Sequence, residues 1–280
     1  MASKPGTLYV VGTPIGNLED ITLRALRLLS EVDLIAAEDT RVTRVLTRRH
    51  NIDTPLTSYH GHTGEKRLAQ LVRKLQDGSS IALVSDAGMP GFSDPGVKLV
   101  AACAEAGVPV IVVPGPTASS AALAASGFPG REHLFLGFLP AKGGERRRAL
   151  QRVADQQGAL VFYEAPHRVL ESLADMQAVL GDRRAVCARE LTKRFEEMVR
   201  GSLSELIDHF TEVPPRGEFT VVVEGAPPTV DIDTDDAVSE VAELVEAGLS
   251  QSRAIAHVAK RRGLPRNALY RAVHGPEAKE

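Results

Sequence analysis

VSDAGMPGFSDPG, residues 84–96, ends the apolar run Ile81-Ala82-Leu83-Val84 with three glycines, two prolines and two aspartates. Prolines restrict the backbone and remove amide donors, while glycines permit close approach or positive φ. A loop so rigid and so bare is either a tight surface turn or a wall at which backbone meets a small molecule. Two further loops of this kind end apolar runs in the same half of the chain: VVGTPIGN (10–17) and VVPGPTAS (112–119). Ligands of open α/β sheets bind outside the carboxyl ends of the strands. Three such loops together point to a small-molecule cleft.

Working outward, short apolar runs alternate with amphipathic segments. Strands are predicted at 7–11, 33–37, 81–85 and 109–113. Between the first two, Ile21, Ala25, Leu28 and Leu29 fall on one helical face, with Arg24, Arg27 and Glu31 elsewhere. This alternation predicts a largely parallel sheet in an α/β layer structure. A second series of strands, at 134–138, 159–163, 184–189 and 219–223, predicts another α/β domain of more antiparallel character. The turn-rich FPGREH (128–133) marks the boundary, and the apolar segments 96–106 and 117–126 read as helices. A third unit follows the linker GAPPTVDIDTDD (225–236). Residues 231–246 hold seven acidic side chains and no basic one; from Ala247 to Pro276 there are six Arg or Lys and no acid. Val238, Val241, Ala242 and Val245 form a helical stripe, and LSQSRAIAHVAKRRGLPRNALYRAV (249–273) reads as helix, turn, helix with a basic side. The expected division is 1–128, 129–228 and 229–280, the last a small helical unit that either contacts nucleic acid or caps the protein.

With 280 residues, 43% hydrophobic and 25% charged, the chain has ample length for a sizeable core. The net charge of −3 confines any nucleic-acid contact to local patches. Cys103 and Cys187 sit in apolar segments without metal-ligand spacing and read as reduced core thiols. The N-terminal apolar run is too short for a signal peptide and no stretch is long enough to span a membrane, so a cytoplasmic protein is expected. P-loop, GxGxxG, GxSxG, HExxH and CxxC motifs are absent, which leaves phosphate cradling, zinc hydrolysis and the nucleophile elbow without support.

The motifs GTPIGNLEDITLRAL (12–26), AEDTR (37–41), SDAGMPGFSDPG (85–96), VPGPTAS (113–119), GFLPAK (137–142), FYEAPHR (162–168), RELTK (189–193) and GEFTVVVEG (217–225) occur in fixed order. In this the chain resembles the bacterial 16S rRNA cytidine 2′-O-ribose methyltransferases, within the tetrapyrrole-methylase-like (class III) S-adenosylmethionine enzymes. Gly12, YHGHTGE (59–65) and MPGF (89–92) depart from that family's pattern. The resemblance implies two α/β domains of the tetrapyrrole methylase type with S-adenosylmethionine in the cleft between them, a homodimer, and no metal. It implies methyl transfer to the ribose 2′-hydroxyl of a cytidine in the decoding region of 16S rRNA, within the small ribosomal subunit. The cofactor residues it implies are Pro14, Asp86, Ala87, Gly88, Met89, Ser93, Asp94 and Pro95, then Pro114, Gly115, Thr117 and Ala118. From the second domain come Tyr163, Glu164, Ala165, Pro166, Leu191, Glu218, Phe219 and Thr220.

Methyl transfer requires the hydroxyl to be positioned and relieved of its proton. Catalytic candidates are Glu38, Asp39 and Arg41 of AEDTR and Glu190 and Lys193 of RELTK, with His60 as a further base. Lysine can act as a base only if burial or neighbouring cations lower its pKa. Glu38 and Arg41 can instead simply pair, and Lys193 can bind phosphate. RVTRVLTRRH (41–50), with four arginines, and KGGERRRALQR (142–152), with five basic residues against one acid, are candidate RNA-contacting patches or solvated faces. With aromatics at 4%, recognition through backbone and shape is expected over stacking. The alternatives are a tetrapyrrole C-methyltransferase of the same fold and a non-catalytic RNA-binding assembly factor.

Overall fold

The computed structural model describes residues 5–61, 63–91, 94–227, 234–264, 269–270 and 272–273. The first sheet contains β1 (Leu8–Val11), β2 (Leu34–Ala37), β3 (Leu56–Ser58), β4 (Ile81–Val84) and β5 (Val110–Val113). Between them run α1 (Leu23–Glu31), α2 (Thr40–Arg49), α3 (Glu65–Gln76) and α4 (Val97–Glu105). The order is β3-β2-β4-β1-β5 and every pairing is parallel. Apolar clusters lie on both faces, which is why Ile81 to Val84 form a continuous apolar run rather than an alternating one. The predicted α1 face is the buried one, with Ile21, Ala25, Leu28 and Leu29 inside.

α5 (Ala118–Ser126) leads to a second sheet made of β6 (His133–Phe138), β7 (Ala159–Glu164), β8 (Arg184–Arg189), β9 (Glu197–Ser202) and β10 (Phe219–Val223). Helices α6 (Gly143–Gln151), α7 (Val169–Leu180) and α8 (Leu203–Glu212) connect and cover it. Its order is β6-β7-β10-β8-β9, parallel only between β6 and β7. α5 packs on this sheet, Ala122 among Ala159, Val161, Ala188 and Val222, and so fastens the two halves together. Residues up to Ala226 accordingly form one compact unit containing both sheets, and the chain from Pro227 forms another.

Two strands were not foreseen. β3 is a three-residue edge strand, and β9 is a half-buried polar segment, EMVRGS, without an apolar run. Both are defined by pairing to a neighbour rather than by their own composition.

The second unit contains α9 (Thr234–Glu246) and α10 (Gln251–Arg262). Its core holds Ala237, Val241, Ala254, Ile255, Val258, Ala259 and Leu269. The buried face of α9 is rotated from the expected stripe: Ala242 and Val245 are exposed, while Glu240 is buried. Glu240 can be inside because two arginines neutralise it, Arg261 at 2.6 Å and Arg262 at 2.7 Å. Gly263 ends α10 in the left-handed region, as the predicted turn requires. Much of the expected second helix, with Arg266, lies outside the described residues.

Candidate functional site

At the carboxyl ends of β1, β4 and β5 the three glycine-proline loops converge. Thr13 and Gly88 exchange backbone hydrogen bonds, Thr13 N to Gly88 O at 2.9 Å and Gly88 N to Thr13 O at 3.1 Å. The Thr13 hydroxyl donates to the Ser85 carbonyl at 3.1 Å, tying β1 to β4 once more. On the other side the loops after β1 and β5 touch through backbone alone. A Cβ on Gly12 would stand 2.6 Å from the Gly115 Cα, and one on Gly115 would stand 2.8 Å from the Gly12 Cα. Gly12 N donates to the Val113 carbonyl, a bond that proline could not make. The bareness of these loops thus has two causes: the loops must pack against one another, and they must leave an accessible backbone wall.

That wall faces β7 and β10 across a cavity of about 300 Å³. From the first half it is lined by Ile15, Ala87, Gly88, Met89, Asp94, Thr117 and Ala118. From the second come Phe138, Tyr163, Glu164, Ala165, Pro166, Glu218, Phe219 and Thr220. Thr117 caps α5 through its hydroxyl. Glu164 turns its carboxylate away into protein, accepting from Ala165 N at 2.9 Å and from the Ser172 hydroxyl at 2.5 Å. It therefore presents main chain, not charge, to the cavity.

A second cavity, of about 480 Å³, adjoins the first and shares Ile15, Ala87 and Glu218 with it. Its walls include Pro14, Gly16, Leu18, Asp86 and Lys193, together with Val42, Val45 and Leu46 of α2. Lys193 is held by two carboxylates, Glu190 at 2.9 Å and Glu218 at 3.0 Å. The segment carrying it is strained: Glu190 and Thr192 take φ of 51° and 64° without being glycine. Contacts to the first half hold it there. The Thr192 hydroxyl accepts from Asn17 N at 3.0 Å, and a Cβ on Gly16 would strike the Lys193 side chain at 2.5 Å.

The electrostatics separate the candidates. Burial pushes Asp94 up to about 6, with the neighbouring charge of Glu38 acting in the same sense. Burial also raises Glu38 and Asp86, whose side chains cross-link β2 to β4: Glu38 accepts from Asp86 N and Asp86 accepts from Asp39 N. Asp39 itself is gripped by the Arg41 guanidinium and amide and falls to about 2. For Lys193, burial favours the neutral form, but Glu190 and Glu218 outweigh it and the ammonium is held above its ordinary range. Burial likewise raises Glu190, and its bonds to Lys193 and Glu218 N prevail and lower it.

Of the residues expected in a cofactor site, Ala87, Gly88, Met89, Asp94, Thr117, Ala118, Tyr163, Glu164, Ala165, Pro166, Glu218, Phe219 and Thr220 line the first cavity. Pro14 and Asp86 line the second, and Leu191 borders a small recess beside Lys193. Gly115 acts by packing on Gly12. Pro95 and Pro114 are not among the lining residues of these cavities, and Ser93 lies outside the described residues. Of the catalytic candidates only Lys193 lines a cavity; Glu38 and Asp39 stand behind the wall, bonded to Asp86, and Glu190 is bonded to Lys193. Phe138 and the valines of α2 were not foreseen as lining residues, whereas Ile15 belongs to the 10–17 loop expected to form the cleft. Ile15 and Phe138 lie inside quoted motifs, but only the placement of the strands shows which way they face. The 142–152 run is partly structural, since Arg146 is buried against Asp175 at 2.6 Å and Arg147 pairs with the same carboxylate.

Residues 7–207 match the family model described as Tetrapyrrole (Corrin/Porphyrin) Methylases, and the chain belongs to that family. Within it, the chain is similar to proteins named ribosomal RNA small subunit methyltransferase I. That of Synechocystis sp. is 48% identical over 268 residues, 95% of this chain and 96% of that protein. That of Thermotoga maritima is 50% identical over 220 residues, which are 79% of this chain and 99% of that protein. Among solved structures, uroporphyrin-III C-methyltransferase from Thermus thermophilus, complexed with S-adenosyl homocysteine, shares the fold. Its TM-score is 0.56 at 23% identity, covering 78% of this chain and 97% of that one.

Proposed function

We propose that the chain transfers the methyl group of S-adenosylmethionine to the ribose 2′-hydroxyl of a cytidine in the decoding region of 16S rRNA. It acts in the cytoplasm on the small ribosomal subunit, as a homodimer. The observation that carries this reading is the pair of adjoining cavities, one walled by bare backbone and the other by the arginine-bearing helix α2.

The residues of the first cavity fit the cofactor. Its apolar walls, Ile15, Ala118, Phe138 and Phe219, suit a heterocycle, and its exposed loop backbone offers donors and acceptors without bulk. Asp94, with Asp86 and Glu38 nearby, places negative charge where a cationic ligand is favoured. When bound, S-adenosylmethionine supplies an electrophilic methyl group on a positively charged sulfur. The protein's part is chiefly positioning. Lys193, kept protonated by its two carboxylates, serves as a donor and not as a base. Asp39, held at about 2, is too weak a base to take the hydroxyl proton. Asp86 and Glu38, raised by burial, are the acceptors that suit this step, and Asp86 lies on the wall of the second cavity.

Labelled S-adenosylmethionine offered with small subunits, followed by digestion of the rRNA to nucleosides, tests the reading. Label in 2′-O-methylcytidine is expected. Label passing instead to an added porphyrinogen would make the chain a tetrapyrrole methylase in function as well as family. Cofactor binding with no transfer to either acceptor would mark an assembly factor.

A further inference from the structure

α2 carries an anomaly. Four of its ten residues are arginine, yet Val42 and Val45 are 44% and 59% exposed. Exposed valine stabilises a helix neither by packing nor by propensity. Both valines lie on the wall of the second cavity, beside Leu18 and Ile15, while Arg41, Arg44 and Arg48 of the same helix are exposed. That cavity opens into the first through Ile15, Ala87 and Glu218, so a ligand lodged there abuts the donor site. Among the described residues it has no aromatic side chain on its wall.

Resting on the proposed function, we infer that the second cavity is the acceptor-nucleoside pocket, in which Val42 and Val45 receive the base and Lys193 meets the ribose or its phosphate. Aliphatic side chains offer a flat apolar contact to a base turned out of its stack, in place of the aromatic platform usual for single-stranded RNA. The flanking arginines supply the phosphate contacts that bring the strand to this face. Lys193 is suited to its part because an ammonium has three N–H donors. Among the described residues two of these meet Glu190 and Glu218, and the third is left for the acceptor.

Val45→Trp fills the pocket without changing charge, and Leu23→Trp, at an 86% exposed position away from both cavities, is its control. Val45→Trp is expected to raise KM for small subunits by roughly ten-fold or more, with cofactor affinity by calorimetry and the melting temperature unchanged. Leu23→Trp should match wild type. Independently of activity, cytidine 5′-monophosphate added with S-adenosylhomocysteine should shift the methyl resonances of Val42 and Val45. An unchanged or lowered KM in Val45→Trp, or an equal loss of cofactor affinity, overturns the inference, as does the absence of methyl shifts at millimolar nucleotide. If wild-type protein fails to methylate subunits while the valine methyls still shift, the pocket stands and the proposed rRNA substrate falls.

Discussion

Asp94 faces the first cavity with a carboxyl easier to protonate in the folded chain than in the unfolded one. The stability it contributes is therefore fully present below the ordinary carboxyl value of 3.8 and is lost as pH rises through about 6. Asp94→Asn should raise the melting temperature relative to wild type above pH 6 and leave it unchanged near pH 4. With solvent screening allowed for, the gain is roughly 1 kcal/mol. The same charge should matter to a cationic ligand in the opposite direction. Calorimetry on wild type should show S-adenosylmethionine affinity falling as pH drops below 6, with Asp94→Asn flattening that dependence. Glycines near it divide by mechanism. At Gly88 the obstacle is φ of +82°, because a Cβ would meet Pro116 O only at an ordinary 3.4 Å. Gly88→Ala should cost about 1–2 kcal/mol through backbone strain. Gly12→Ala meets Gly115 backbone and the Met89 sulfur at under 3 Å, so roughly 1–3 kcal/mol is expected, with weakened cofactor binding. Denaturant melts of the two variants check both costs.

The loop between β8 and β9 shows what a sequence can and cannot disclose. RELTK is conspicuous as a charged motif, and its coming to the cleft follows from the order of strands. Its left-handed φ at Glu190 and Thr192, and its link to Asn17, depend on a partner loop some 175 positions away and leave no mark in composition. The strands that bear the cofactor loops were legible because each is an unbroken apolar run, buried in β1 and β4 and still apolar in β5, whose Ile111 and Val112 are exposed at the sheet edge. β3 and β9, which take their shape from neighbours, were not. The same limit applies to α9, where Val238 and Val241 of the expected stripe do pack inward but Ala242 and Val245 do not, because a buried glutamate with two arginines is invisible to a hydrophobic pattern. Lys193 can be tested as part of its loop. Lys193→Met removes the donor and leaves Glu190 and Glu218 facing each other, so methyl transfer should drop on the order of a hundred-fold. Cofactor affinity should change little. In wild type, a pH–rate profile should show no inflection from Lys193 near neutrality, since its ion pairs keep it charged throughout that range.

Both sheets, both cavities and all the described cofactor residues fall before Ala226, and the helical unit follows. The Thermotoga relative aligns over 99% of its length while covering only 79% of this chain. A protein truncated to 1–226 should therefore fold and bind S-adenosylmethionine with unchanged affinity. If the helical unit grips rRNA, single-turnover methylation of small subunits by the truncated form should be slower, and its salt dependence shallower, than that of the full chain. Equal rates and equal slopes would make the unit a cap. Charge reversal at Arg261 or Arg262 is a poor substitute for this truncation, because it strips a buried Glu240 of its partners and destabilises the unit. The proposed homodimer has apolar surface to draw on, with Ile111 and Val112 exposed on edge strand β5 and Leu134 on edge strand β6. Sedimentation at micromolar concentration should give a dimer, and a pure monomer would refute it.

The touching of Gly12 and Gly115 has a consequence for how this chain can change over generations. At most packed contacts an enlarged residue can be rescued by a smaller neighbour, and sequences drift by such compensating exchanges. Here both partners already have the smallest side chain available, so a gain of volume at either position has no rescuing loss at the other. The junction of the first and third loops is thus a dead end for paired substitution. Diversity in ligand preference must enter through positions with room to trade, such as the exposed valines of α2.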